Sequence, residues 1–222
     1  MAEALDPRGE AVRILDRVER GGAYASALLE HAEPRFRDRR DRALLHALVL
    51  GVLRRRPALD HAIARRSSRP LEDVDPVVLQ ILRVGTFMLT AMDRIPGFAV
   101  LDVMVSVATA MAGPGTAGFV NGVLRALAKD PGADEPPEPV RGVVRQLALS
   151  LGHPAWWTGR VVERLGWDGA AELLAANNNP APTVIRLNRS RCDGEELVRR
   201  MAAVFANSTS HSMSAHLCLM AW

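Results

Sequence analysis

Ala43-Leu44-Leu45-His46-Ala47-Leu48-Val49-Leu50-Gly51-Val52-Leu53 is apolar at almost every position. A helix apolar on all sides must be surrounded by other elements, so this run is expected to be a central helix. Arg54-Arg55-Arg56 then brings the chain to the surface, and Pro57 is read as opening a further short helix to Ile63. On the N-terminal side lies a charged stretch, Arg35 to Arg42. Before it, residues 8–30 repeat Ala11, Ile14, Leu15 and Val18 at helical spacing, pause at Gly21-Gly22, and resume with Tyr24, Ala27 and Leu28.

Further along, Asp75-Pro76 is a helix start, an N-cap followed by proline in the first turn. Val77 to Leu89 is again heavily apolar and is expected to be a second central helix. Ile95-Pro96 opens a third, with Val100, Leu101, Met104, Val105 and Val107, ended by Gly113-Pro114-Gly115. Phe119, Val120, Val123, Leu124 and Leu127 mark a fourth. Val103 to Leu124 carries no charge, but the glycine-proline break and Asn121 favour two short buried helices over one membrane span. Leu44, Leu48, Val78, Leu82, Leu101, Val105, Val120 and Leu124 are the expected core. Aromatics make up only 5% of a chain that is 48% hydrophobic, so the interior is aliphatic, which suits packed helices.

Residues 130–139, rich in proline and acid, read as a linker. Beyond it, Trp156, Trp157, Val161, Val162 and Leu165 are expected to share one helical surface, Gly166 to stop that helix, and Asp168 to cap the next. Thr183 to Asn188 is the one convincing strand, and Asp193 with Glu196 forms a capping box for a helix ending near Ala206.

Charge is unevenly spread. The net formal charge is +3, yet residues 1–70 hold 15 arginines against 10 acidic residues, and the remainder is net acidic. Guanidinium groups grip phosphate in a bidentate fork and stack on bases. Arg13, Arg17, Arg35, Arg37, Arg39, Arg40, Arg42, Arg54, Arg55 and Arg56 are therefore the candidate RNA-binding residues. The competing reading is a solvated face neutralised by Asp16, Glu19, Asp38 and Asp41.

Templates for catalysis are missing. There is no GxGxxG after a strand, no Walker lysine motif and no HExxH. His31, His46 and His61 have no ligand partner at metal spacing, and His211, His216 and Cys218 lack a fourth ligand. Cys192 stands beside Arg191 without a general base. No catalytic, cofactor-binding or metal-binding residue is expected. The two cysteines form no CxxC pair and the charged N-terminus is no signal peptide, so a cytoplasmic setting without membrane attachment is expected.

The order of several short strings adds to this. Gly22-Ala23-Tyr24, Asp41-Arg42 before Leu44, Gly51-Val52-Leu53-Arg54 with Leu59-Asp60, Ile81-Leu82-Arg83-Val84-Gly85, Asp93-Arg94-Ile95-Pro96 and Phe119-Val120-Asn121-Gly122-Val123-Leu124-Arg125 together resemble the NusB-like helical fold. After the linker, Ser150-Leu151-Gly152-His153-Pro154-Ala155-Trp156, Ala176-Asn177-Asn178 to Pro182, and Ile185-Arg186-Leu187-Asn188 resemble the RsmB (Sun) family of small-subunit rRNA cytosine-C5 methyltransferases, with His153 a departure from the usual residue.

This resemblance implies an all-α fold: a NusB-like bundle, a small helical region, and the short strand-helix start of a second domain. It divides the chain into a NusB-like RNA-binding domain over 1–130, a linker over 131–139, a helical connecting region over 140–180, the start of a methyltransferase N-terminal subdomain over 181–206, and an atypical tail over 207–222. The implied partners are ribosomal RNA and a ribosomal protein. The family's cofactor is S-adenosylmethionine, but its cofactor loop and its Thr-Cys-Pro-like and Pro-Cys-Ser-Gly-like motifs have no match here, and a truncated or frameshifted product is expected. The rival function is a NusB-type transcription antitermination factor. A helical protein-docking module that binds no nucleic acid is the third.

Overall fold

The computed structural model describes residues 6–92, 95–129, 141–179, 184–186, 193, 195–197, 199–200 and 218–220. The chain divides into two compact units, Met1–Asn178 and Asn179–Trp222.

In the first unit, helix α1 (Pro7–Gly21) starts at Asp6, whose carboxylate accepts from the Arg8 amide at 3.1 Å, with Pro7 in the first turn. It ends where Gly22 turns left-handed at φ 60°, a conformation that costs glycine little. Helix α2 (Ala25–Ala32) follows. Asp38 caps α3 (Arg39–Arg66) by accepting from the Arg40 amide at 2.8 Å. Asp75 caps α4 (Pro76–Ala91), accepting from Val77 and Val78 at 2.8 and 3.3 Å. Helices α5 (Gly97–Ala112) and α6 (Pro114–Lys129) meet at Gly113, φ 87°. The uncharged stretch is thus two helices, and no helix among the described residues is long and apolar enough to cross a membrane.

Two expectations about α3 are corrected. Pro57 does not open a new helix; α3 runs through it. Proline removes one hydrogen bond, but Val52, Leu59, Ala62 and Ile63 on either side are all buried, and that shared apolar face holds the two halves in line. Nor is α3 the enclosed helix, because Leu50 is 37% exposed. The enclosed helix is α4, in which every residue from Gln80 to Met88 is buried. It packs against α1, α3, α5 and α6.

Of the expected core, Leu48, Val78, Leu82, Val120 and Leu124 are fully buried. Leu44, Leu101 and Val105 are only half-buried, and their neighbours Leu45, Val100 and Met104 take the interior positions. A one-residue error turns a helix face by about 100°. Two glycines set close approaches. A side chain on Gly51 would run into the Phe87 ring, and one on Gly85 would lie 2.8 Å from Leu124.

Helices α7 (Val144–Ser150) and α8 (Ala155–Asn177) enclose a smaller core of Leu147, Val161, Ala170 and Leu174. Gly166, φ 73°, interrupts α8 as expected. Asp168 holds Arg141 through two bonds of 3.0 Å. The shared surface expected of the two tryptophans is corrected: Val161 is buried, while Trp156 and Trp157 point outward.

In the second unit, residues 195–197 and 199–200 are helical, and the Leu197 amide donates to the Asp193 carbonyl at 3.0 Å, in keeping with Asp193 as the cap. The expected strand is present as β1 (Val184–Arg186), but it is not alone. It pairs in parallel with β2 (Cys218–Met220), with Ile185 opposite Leu219. The Ser-rich approach to β2 hid this second strand, since three apolar residues give no readable period. The linker, Asp93-Arg94, Cys192, His211 and His216 lie outside the described residues.

Candidate nucleic-acid interface

The ten candidate arginines fall into two sets. Four are engaged within the fold. Arg13 and Arg35 both reach the buried Glu10, at 3.1 and 2.9 Å. Arg42 donates to the Phe36 and Arg37 carbonyls at 2.7 and 3.1 Å, tying the turn that precedes α3. Arg56 reaches Glu19 at 2.5 Å and Asp60 at 3.8 Å. The other six, Arg17, Arg37, Arg39, Arg40, Arg54 and Arg55, are exposed. Among the described residues none of these six forms an ion pair.

The structure therefore keeps a cationic surface but divides it. Arg37, Arg39 and Arg40 surround the N-terminal turn of α3, where unpaired amides already favour anions. Arg54 and Arg55 lie fifteen residues farther along the same helix, a rise of about 22 Å. Phosphates along one RNA strand could engage both groups.

The acidic residues do more than neutralise a surface. Asp38 caps α3, and Asp16 holds Arg20 at 2.7 Å. Glu19 and Asp60 converge on Arg83, which is only 3% exposed. Arg83 grips Asp60 through Nε and Nη2 at 2.6 and 2.9 Å and reaches Glu19 through Nη1 at 2.6 Å. The Gln80 side-chain amide also donates to Glu19. This network joins α1, α3 and α4 and was not foreseen as a unit. A signal existed: Arg83 is the lone charge inside the apolar run Val77 to Leu89, and a buried charge needs partners.

Burial alone would push the Glu19 carboxyl up. The charges of Arg83 and Arg56, with hydrogen bonds from Gln80 and Arg83, outweigh burial and hold it below its ordinary value. Burial likewise opposes the Arg83 charge, but the bonds and charges of Asp60 and Glu19 raise its pKa overall.

At the start of α8, Trp156 is 66% and Trp157 39% exposed. Their rings meet edge to face at 6.1 Å, and the Arg160 guanidinium lies 5.8 Å from the Trp156 ring centre. No group of three or more histidine, cysteine or acidic residues could hold a metal among the described residues.

Two family models match this chain: the NusB family over residues 5–129, and the RsmF/B-like methyltransferase ferredoxin-like domain over residues 153–219. The second match runs past residue 206, through most of the stretch read from sequence as an atypical tail. The probable ribosomal RNA small subunit methyltransferase B of Bacillus subtilis is 30% identical over 88% of this chain and 43% of its own length. The ribosomal RNA small subunit methyltransferase B of Xylella fastidiosa (strain Temecula1) is 32% identical over 91% of this chain and 44% of its own. The chain thus spans less than half the length of these relatives. Among solved structures, NusB in the complex of antitermination factors NusB and NusE with double-stranded RNA superimposes with a TM-score of 0.50 at 24% identity, covering 56% of this chain and 94% of that one. With that fold likeness and residues 5–129 matched by the family model, the chain belongs to the NusB family, and its residues 153–219 match the ferredoxin-like domain of RsmF/B-like methyltransferases.

Proposed function

We propose that this chain is the RNA-docking portion of an S-adenosylmethionine-dependent small-subunit rRNA cytosine-C5 methyltransferase of the RsmB kind, working in the cytoplasm. One observation carries the reading: a NusB bundle and an RsmF/B-type ferredoxin-like region occur in one chain. An antitermination factor of the NusB type has no need of the second. The six exposed arginines supply the contact with RNA, and the bundle holds them in place. A ribosomal-protein partner on the bundle is a further part of the proposal, prompted by the NusE complex.

Binding should be electrostatic. Three to five phosphates neutralised on a single strand give a slope of roughly −2 to −3.5 in log K against log salt. Changing Arg17, Arg37, Arg39 and Arg40 together to Glu should abolish binding while leaving the far-ultraviolet dichroism unchanged, since all four side chains are exposed. Filter binding across a salt series reads both. Salt-independent binding, or full affinity in the quadruple variant, would remove the arginines from the proposal.

The 222-residue chain should also fail to bind S-adenosylmethionine, because its sequence holds no glycine-rich loop after a strand for the cofactor. Calorimetric titration measures this directly. A saturating heat signal would mean that another part of the chain forms the cofactor site.

A further inference from the structure

Trp156, Trp157, Arg160 and Arg164 are three, four, seven or eight residues apart along α8, apart from the adjacent tryptophans, and so lie on one face of the helix. All four are exposed. Glu163 lies at the edge of this face, which remains net positive. Solvating two indole rings is costly, and aromatic side chains with a guanidinium beside them match the flat, anionic chemistry of a single nucleic-acid strand.

The position of this face strengthens the case. Gly152, in the turn before α8, is pressed against α3: a side-chain carbon there would lie 2.7 Å from the Arg54 carbonyl oxygen. Its φ of 69° and this contact leave room only for glycine. Trp156 is four residues farther on, so it lies within about 14 Å of that contact even along an extended path. The start of α8 therefore lies near the part of α3 that carries the exposed Arg54 and Arg55, and Arg145 on α7 is exposed as well.

We infer that this face is a base-stacking site for single-stranded RNA: an unpaired base lies on Trp156 or between Trp156 and Trp157, and its phosphates are held by Arg160, Arg164 and the Arg54–Arg55 pair. The inference rests on the RNA-docking reading and adds to it a site that does not depend on charge alone. The occupant is a single strand, because bases in a duplex are already stacked on one another and offer no free face.

The test uses the 222-residue chain and two probes, a short single-stranded oligouridylate and an RNA duplex of equal length, followed by fluorescence anisotropy. Trp156→Ala should weaken oligouridylate binding by about 5- to 100-fold, the loss that goes with one stacked base. The salt slope should not change, and duplex binding should be unaffected. Trp156→Phe, which keeps an aromatic face, should recover most of the affinity. Equal affinity of Trp156→Ala and the unmodified chain for oligouridylate overturns the site, as does an equal loss on the duplex. If Trp156→Ala instead alters sedimentation or melting temperature without altering RNA affinity, the face is covered by a second copy or by another part of the protein, and the inference is wrong. An unmodified chain that binds neither RNA defeats the docking proposal and this one together. Salt-dependent binding that ignores Trp156 defeats only this one.

Discussion

Leu82→Asp should leave the bundle unfolded at room temperature. Leu82 is completely buried in the middle of α4, with α1, α3, α5 and α6 packed around that helix. The buried cation on this helix, Arg83, is already held by Asp60 and Glu19, so a carboxylate placed at position 82 has no free cation to pair with. Desolvating it costs several kcal/mol even after relaxation. Removing the leucine side chain forfeits roughly 2–5 kcal/mol more. A domain of this kind has about 5–15 kcal/mol in total. The helical dichroism at 222 nm should collapse. Leu50→Asp is the control, since Leu50 sits in an equally apolar stretch but is 37% exposed. Its aspartate can reach water, and the loss should stay near 1 kcal/mol. Equal melting curves for the two variants would mean that α4 is not the enclosed helix.

That contrast also shows what could be read from the sequence. The run from Ala43 to Leu53 and the run from Val77 to Leu89 look alike as strings of apolar residues, and both are helices. Which one is surrounded depends on tertiary partners that lie far away in sequence. Where a side chain has its own local chemistry, as at Asp75-Pro76 or Gly113, the boundaries agree with expectation. Pro57 misled because a local penalty was outweighed by burial on both sides of it. The core positions in α5 slipped by one residue because Val100, Leu101, Met104, Val105 and Val107 are all apolar, so the sequence pattern does not distinguish the inward face.

The candidate interface was partly legible for the same reason. Clustering of arginine marks a cationic surface, and nine of the ten candidates are exposed. What composition does not reveal is which arginines the fold keeps for itself. Glu10 is one of three acids in the amphipathic helix α1, yet it is the one that is buried and occupies both Arg13 and Arg35. Arg56 and Arg55 are neighbours in sequence, but only Arg56 faces Glu19 and Asp60. The tryptophans misled in the other direction. They are expected to share one surface with Val161, whereas Val161 joins the small core of Leu147, Ala170 and Leu174 and both indoles stay exposed.

Replacing Arg83 by Met should be the most damaging change among the polar residues of the bundle. Arg83 makes three charge-assisted bonds, two to Asp60 and one to Glu19, from a position that is 3% exposed. Without it, two carboxylates face each other across an apolar side chain. Removing one partner of a buried ion pair costs about 3–5 kcal/mol. The lower end applies here, because the Glu19 and Asp60 side chains retain 33% and 26% exposure and can turn towards water. For a chain of this size, about 3 kcal/mol lowers the melting temperature by roughly 6–12 °C. Arg83→Lys keeps the charge but loses the two-pronged grip on Asp60, so it should fall between the two. The pH dependence gives an independent check. Glu19 has a lowered pKa in the folded state, so the stability it contributes is fully present above its ordinary value of 4.5 and is lost as pH falls through the folded value. In Arg83→Met the largest lowering influence is gone and only Arg56 and Gln80 offset burial, so Glu19 contributes less charge-dependent stability for acid to remove. The stability gap between the two proteins should therefore be widest near neutral pH and narrow progressively below pH 4.5. Urea melts at a series of pH values would measure it. A gap that stays constant from neutral to acid pH would show that Arg83 stabilises the bundle through packing of its side chain and not through its charge.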